Sequence, residues 1–155
     1  MQVSTCLSTR DNGQNWSAIA GMLYRMTQLL RPDGLVQSPA FTHVAVVPPG
    51  ATTIYVGGQN AVDGTGALVG GDDPAAQTKQ VMTNLKIALA AAGATVHDLV
   101  MVTILLVDGV DLNAAYPVAA AELAGATPPV VAARVAGLGV QGALLEVSAV
   151  AAVTA

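Results

Sequence analysis

The stretch DPAAQTKQVMTNLKIALAAAGATVHDLVMVTILLV, residues 73–107, decides the fold. Asp73 followed by Pro74 predicts a helix start, because the carboxylate caps free amides and proline suits the first helical position. Gly93 then ends the helix. Residues 99–107 are apolar on both faces, which is typical of a strand covered by a helix on one side and by another subunit on the other. The apolar positions that share one helix face are Val81, Leu85, Ala88, Leu89 and Ala92.

Downstream of this stretch the chain contains a second helix and two more strands. Asp111 is the predicted cap of a helix that runs to about Leu123, and Pro117 should bend it because proline removes one backbone hydrogen bond. Strands are predicted near 129–136 and 143–152. If the strand at 99–107 and the next one are parallel, the helix between them forms a right-handed crossover.

Upstream, the runs HVAVV (43–47) and TTIYV (52–56) flank a Pro-Gly turn, so they predict a β-hairpin. The element order is then ββ-α-β-α-ββ. This order predicts an α+β domain, in which two helices pack on one face of a mixed β-sheet.

The first 30 residues differ from the rest and carry no chemical motif. We predict an N-terminal extension over residues 1–30 and a single domain over residues 31–155. Within the extension, residues 18–30 could form a short amphipathic helix, and Met26 is open as an alternative start codon. The apolar side chains at helical spacing are Ile19, Met22, Met26 and Leu29.

The composition of the chain points to a subunit interface. Of 155 residues, 53% are hydrophobic and only 10% are charged, whereas about a quarter is usual in soluble domains. The uncovered sheet face would be rich in valine and alanine, so we expect an oligomer. The net charge is −4 and the six basic residues form no cluster, which argues against a nucleic-acid partner.

Metal, cofactor and membrane functions are not expected either. Cys6 is the single cysteine, and the two histidines, His43 and His97, stand far apart without carboxylates at ligand spacing. No apolar stretch reaches the length of a membrane helix, and the N-terminus does not resemble a signal peptide. We therefore expect a cytoplasmic protein with no cofactor that binds a small molecule.

Several motifs together resemble the RidA/YjgF family of small proteins. The resemblance covers roughly residues 31–151, and it rests on the segments SPAFTHVAV (38–46), IYVGGQ (54–59), AAQTKQVMTNLKIALAAAGA (75–94), DGVDLNAAY (108–116) and GALLEV (142–147). It implies a chorismate mutase-like fold and a homotrimer with three clefts between subunits. The best-known members hydrolyse reactive 2-imino acids.

The resemblance also implies a set of site residues. Glu146 stands at the position of the water-activating acid, and a backbone amide near Gly58 would contact the ligand. Phe41, Asn113 and Tyr116 would line the cleft. For Glu146 the alternative is a structural carboxylate satisfied by backbone amides or by Arg134. Asn113 could instead be an ordinary residue of the helix start, and Tyr116 a core residue.

The chain departs from the family pattern at the substrate-binding arginine, where it has Val130, with Ala132 two residues later. A guanidinium holds a carboxylate by two charge-assisted hydrogen bonds, a geometry that valine cannot imitate. Each bond to a charged group is worth about 1.5–3 kcal/mol. A neutral or apolar ligand therefore fits Val130 and Ala132 better than an imino acid does.

Arg134 is the candidate substitute cation, although it lies roughly 13 Å further along the strand, at about 3.3 Å per residue. An interface or surface ion pair is the alternative role for this arginine. We therefore expect a trimeric metabolite-binding protein with weak or absent 2-imino acid deaminase activity. There are two alternatives. One is an enamine/imine deaminase (a hydrolase) in which another cation, such as Arg134, replaces the missing arginine. The other is a non-catalytic regulatory binding protein. Some family members are linked to RNA cleavage, which the acidic balance disfavours here.

Overall fold

A computed structural model describes residues 26–154. In these residues the elements are β1 (Gln28–Leu30), β2 (Val44–Val46), β3 (Thr52–Gln59), α1 (Pro74–Ala91), β4 (Leu99–Val107), α2 (Leu112–Leu123), β5 (Val130–Val135) and β6 (Leu145–Val153). A single 3₁₀ turn, Val96–Asp98, leads into β4. The α+β class predicted from the sequence is confirmed.

Both helices begin where their capping residues predict. The Asp73 carboxylate accepts hydrogen bonds from two amides of the first turn of α1, at 2.8 and 3.3 Å. Asp111 does the same for the amide of Asn113 at 2.9 Å. α2 ends at Leu123, and the residue that follows, Ala124, caps it with a left-handed backbone, φ of 50°. Helix ends need such partners because their first amides have no carbonyl within the helix.

One face of α1 forms the centre of the hydrophobic core. Val81, Leu85 and Leu89 are fully buried on this face, as predicted. Ala92, which we placed on the same face, is exposed, because it lies beyond the last helical residue. α1 packs against β3 and β6, and α2 packs beside α1.

The main sheet has four strands in the order β3-β6-β4-β5. β6 pairs antiparallel with both β3 and β4, whereas β4 and β5 are parallel. α2 therefore connects two neighbouring parallel strands, as the predicted crossover requires. β6, near the end of the chain, occupies an interior position in the sheet.

The predicted hairpin between the runs at 43–47 and 52–56 is wrong. β2 pairs with β1 in a separate two-stranded sheet, and β3 pairs with β6. The Pro-Gly sequence does form a turn, with Gly50 at φ of 85°. However, the turn directs the chain from one sheet to the other, so it does not fold the second run back on the first.

The predicted helix at 18–30 is wrong where the structure describes it. Gln28–Leu30 form β1, in register with Val44–Val46. Pairing with β2 satisfies the backbone of these residues, and the helical spacing of their apolar side chains does not decide their conformation. Residues 18–25 of this prediction lie outside the described residues. The boundary of the extension at residue 30 stays a prediction.

The two faces of the main sheet differ in burial. Along β6, alternate residues from Leu145 to Ala151 are buried on the side of the helices. Registered neighbours share a face, so the opposite face carries Met101, Thr103 and Ser148. On this opposite face Tyr55 is 80% exposed and Met101 37%. We call it the open face.

Candidate functional site

Gly58 and Glu146 lie in direct contact at one end of the sheet, on neighbouring strands. A Cβ atom added to Gly58 would lie 2.3 Å from Oε1 and 2.5 Å from Cδ of Glu146. Real Cβ atoms do not approach other heavy atoms so closely, so the Glu146 carboxylate occupies the space that a side chain at residue 58 would need. A Cβ atom added to the adjacent Gly57 would meet no heavy atom within 4 Å.

A β-bulge creates this contact. The registered pairs are Val56 with Ala149 and then Gln59 with Val147, so two residues of β3 oppose one residue of β6. Such a bulge bends its strand and re-aims the side chains beside it. The two residues of the bulge are Gly57 and Gly58, which is why the backbone of β3 can come against the glutamate.

The Glu146 carboxylate is half-buried and has no hydrogen-bond or ion-pair partner within residues 26–154. Neither backbone amides nor Arg134 satisfy it, although the structural alternative requires one of them. Gly58 beside it is exposed. A half-buried carboxylate without a partner raises the free energy of the folded state. Such a group is free to bind a ligand or transfer a proton.

Val130 and Ala132 lie away from this contact. They are in register with Val102 and Ile104 of β4, whereas Glu146 is in register with Leu105. Because side chains alternate along a strand, Val130 and Ala132 are on the helix side of the sheet and Glu146 is on the open face. A single chain does not bring these predicted site residues together.

Of the other three predicted residues, Phe41 lies next to the flank of the chain that carries β5, and Asn113 and Tyr116 lie on α2. Asn113 and Tyr116 are exposed on the first turns of α2, and Tyr116 is 58% exposed, so it is not a core residue. Phe41 precedes an isolated bridge between Thr42 and Pro129, just before β5. Its ring makes an edge-on contact with His43 at 5.5 Å.

Arg31 connects Phe41 to the entry of β5, a role that the sequence did not reveal. Its Nε donates to the carbonyls of Ser38 and Phe41, at 3.0 and 3.2 Å, and its Nη2 donates to Thr127 Oγ1 at 3.1 Å. Thr127 lies 96 residues from Arg31 in the chain. No local spacing could have indicated this connection.

Arg134 does not reach Glu146. Its Nη1 and Nη2 donate to the carbonyls of Val107 and Val110, at 3.5 and 3.4 Å. Its register partner is Leu106, so it belongs to the helix side of the sheet. Within the described residues it forms no ion pair. Arg134 therefore holds the loop between β4 and α2.

A shallow hollow lies further along the open face, beyond the glutamate. Tyr55, Met101, Thr103, Ser148 and Val150 contribute to its lining. None of the predicted site residues lines it. Gly57 of the bulge also lines it, so the hollow adjoins the Gly58–Glu146 contact on the same face of the sheet.

Sequence reasoning also missed a set of amide side chains on α1 that bind neighbouring backbone. Gln77 is fully buried, and Asn84 donates to the carbonyls of Asn60 and Val62 at 2.9 and 2.8 Å. The available signal was the presence of amide side chains at positions 77, 80 and 84, next to the apolar face of the helix. Buried amides need partners, so their position predicts that they bind neighbouring backbone.

Comparison with known proteins identifies the family. The model of the family described as endoribonuclease L-PSP matches residues 36–153, well over half of the chain. The chain belongs to the RidA/YjgF family. The match spans β2 to β6 and includes all seven residues that we predicted for the site.

Solved structures of other RidA/YjgF proteins share this fold. A Rid-family protein of unknown function from Yersinia pestis is 31% identical, with a TM-score of 0.70 over 82% of this chain and 98% of its own. RidA from an Antarctic Psychrobacter is 29% identical, with a TM-score of 0.60 over 76% and 98%. A family member from Mycobacterium tuberculosis is 25% identical, with a TM-score of 0.56 over 83% and 100%. Among curated proteins, none matches the chain.

Neither a metal cluster nor a membrane helix is found in the part of the family domain that the structure describes. Between residues 26 and 154, no three histidine, cysteine, aspartate or glutamate side chains are grouped as metal ligands. Over the same range, neither helix combines the length and the apolar character needed to cross a bilayer.

Proposed function

We propose that this RidA-family chain forms a homotrimer that binds a small, uncharged or weakly polar metabolite in clefts between subunits. In this proposal Glu146 is the acid–base residue, and the Gly58 backbone orients the ligand. Any reaction would be hydrolysis or enamine/imine chemistry. The archetypal deamination of 2-imino acids would be weak or absent.

The observation that carries this proposal is the Glu146 carboxylate against Gly58, without a partner among residues 26–154. A fold does not retain a half-buried carboxylate for stability, because such a group is costly unless it is paired. Gly58 is exposed, so a ligand can approach the carboxylate from solvent or from a neighbouring subunit.

Two features support an assembly of several chains. The open face keeps large side chains accessible, among them Tyr55 and Met101. In addition, Val130 and Ala132 lie on the opposite side of the sheet from Glu146 in the same chain. If the open face of one chain covers the β5 flank of another, both sets of residues can line one cleft.

The chemistry of the β5 flank favours an uncharged ligand. Val130 and Ala132 contribute no hydrogen-bond donor from their side chains. A carboxylate bound near them would lack the two bonds that a guanidinium supplies, each worth about 1.5–3 kcal/mol. It would also approach the negative charge of Glu146.

A nucleic-acid partner is not part of the proposal. Lys79 and Lys86 both bind the carboxylate of Glu122, so their charge is largely compensated. The net charge of the chain is −4. RNA binding that weakens steeply with added salt would contradict this part of the proposal.

The test begins with the hydrolysis of 2-iminobutanoate, generated in situ, by wild type, Glu146→Gln and Arg134→Ala. We expect little or no acceleration from a folded wild-type trimer, with circular dichroism and sedimentation as controls of folding and assembly. A strong acceleration that both variants lose would establish the alternative, a deaminase with Arg134 as its cation. A monomeric wild type would contradict the proposal outright.

A second step uses two probes of equal size, 2-oxobutanoate and its neutral amide. Binding is followed by the ¹⁵N–¹H resonance of the Gly58 amide. We expect the neutral probe to bind more tightly than the anion. The opposite order would show that the site selects a carboxylate, and no response to either probe would show that Gly58 does not contact such ligands.

A further inference from the structure

The backbone ladder between β3 and β6 ends just before the catalytic candidate. The last registered pair is Gln59 with Val147. Beyond it, a side chain takes the place of the ladder, because Asn60 Nδ2 donates to the carbonyl of Leu145 at 3.2 Å. That carbonyl belongs to the peptide bond that joins Leu145 to Glu146.

Asn60 is itself held by α1. Asn84 Nδ2 donates to the Asn60 carbonyl at 2.9 Å and to the Val62 carbonyl at 2.8 Å. Gln80 Nε2 donates to Asn84 Oδ1 at 2.9 Å, which fixes the orientation of the Asn84 amide. Asn84 thus has partners on both its oxygen and its nitrogen, and it neighbours Leu85, which is fully buried.

Another amide of α1 holds the entry to β6. The Gln77 side chain is fully buried and uses both of its polar atoms. Its Nε2 donates to the carbonyls of Gly71 and Gly142 at 2.6 and 2.9 Å, and its Oε1 accepts from the amide of Leu144 at 2.9 Å. The same helix therefore holds the residues just after Gly58, through Asn84, and the residues just before Glu146, through Gln77.

We propose that Asn84, acting through Asn60, is a positioning residue that sets the place of the Glu146 carboxylate relative to Gly58. The inference rests on the proposed role of Glu146 in the function above. Its physical basis is the lack of clearance at the contact, since an added Cβ would lie 2.3 Å from the carboxylate oxygen. A small shift of the Leu145–Glu146 peptide must therefore move the carboxylate or strain the bulge.

The composition of the chain allows a direct test, because Glu122 and Glu146 are its only glutamates. Glutamate labelled with ¹³C at the side-chain carboxyl gives two resonances, and Glu122, between two lysines, serves as the internal reference. The test variants are Asn84→Ala and Asn60→Ala. The matched control is Thr83→Ala, because the Thr83 hydroxyl donates only within α1, to the carbonyl of Lys79 at 2.9 Å.

In both test variants we expect the Glu146 resonance to shift while that of Glu122 stays in place, and the control should leave both unchanged. Asn84→Gln should restore part of the wild-type position if the amide itself matters. Folded variants with lower thermal stability but an unmoved Glu146 resonance would overturn the proposal, because they would show a purely structural role. The measurement requires no activity, so its outcome is independent of whether Glu146 proves catalytic.

Discussion

The two glutamates of this chain occupy opposite kinds of environment. Glu122, on α2, is bound by Lys79 and Lys86 of α1, with Lys86 Nζ at 2.5 Å. Glu146, in the central sheet, contacts Gly58 and has no cation or hydrogen-bond donor within the described residues. The hydrogen bond from Lys79 and then that from Lys86 lower the pKa of Glu122. The comparison teaches that one carboxylate joins two helices, whereas the other remains available for chemistry.

The largest effect is expected from adding a positive charge to the proposed cleft of Glu146, which would remove the contrast with Glu122. In Val130→Arg, a guanidinium placed in the proposed cleft should accelerate hydrolysis of 2-iminobutanoate by roughly 10- to 100-fold, because each charge-assisted bond adds about 1.5–3 kcal/mol. The initial rate of imine loss measures the effect.

The matched control for this variant is Ile87→Arg, since the Ile87 side chain lies on α1, is 63% exposed and is not one of the predicted site residues. Equal gains in both variants would show that any added positive charge suffices. No gain in a folded Val130→Arg would contradict the assignment of this position to the cleft.

The next largest effect should come from filling the space at Gly58. Gly58→Ala forces the Glu146 carboxylate out of its position, and we expect a loss of about 1 kcal/mol in the free energy of unfolding together with loss of ligand binding at this site. Urea denaturation measures the first quantity. Gly57→Ala, which meets no atom within 4 Å, should leave binding intact. Similar losses in both variants would assign the effect to the bulge backbone.

A smaller effect separates the two glutamates by stability alone. Glu122→Gln should lower the free energy of unfolding by about 0.5–1 kcal/mol, which is the range of solvent-screened ion pairs. Glu146→Gln should change it by less than about 0.5 kcal/mol, because no partner is lost. Denaturation at neutral pH measures both variants. A larger loss in Glu146→Gln would reveal a structural partner for this carboxylate.

The smallest effect is the pH dependence of the Glu122 contribution. Because the pKa of Glu122 is lower in the folded chain than its ordinary value, its ion pairs stabilise the fold above that ordinary value. The contribution is lost as the pH falls through the lowered pKa. The stability difference between wild type and Glu122→Gln should therefore be constant near neutral pH and vanish in acid. A difference that persists in strong acid would contradict the ion-pair origin.

The parts of the fold that the sequence predicted are those encoded locally. Asp73 and Asp111 mark the helix starts because capping involves residues two or three positions away. The parallel pairing of β4 and β5 also follows from the helix between them. The predicted strand partner of β2 was wrong, because a turn motif indicates that the chain bends and not which strand pairs with it.

The site was predictable in its residues but not in its arrangement. Resemblance to the family pointed to Glu146 and Gly58, and the structure brings these two together. Their contact depends on pairing between β3 and β6, which are separated by more than half of the chain, and on a one-residue bulge that has no sequence spacing of its own. For the same reason the placement of Val130 on the other side of the sheet could not be foreseen.

The order of strands in the main sheet bears on how the protein is made. β6 is the last of the described strands to leave the ribosome, yet it belongs between β3 and β4. Until it emerges, β3 has no partner in its sheet, and β3 and β4 each expose an edge with unpaired backbone hydrogen-bonding groups. Long-range pairing of this kind is slow and exposes the nascent chain to aggregation. Production of the protein should therefore benefit from chaperones that shield β3 and β4 until β6 emerges.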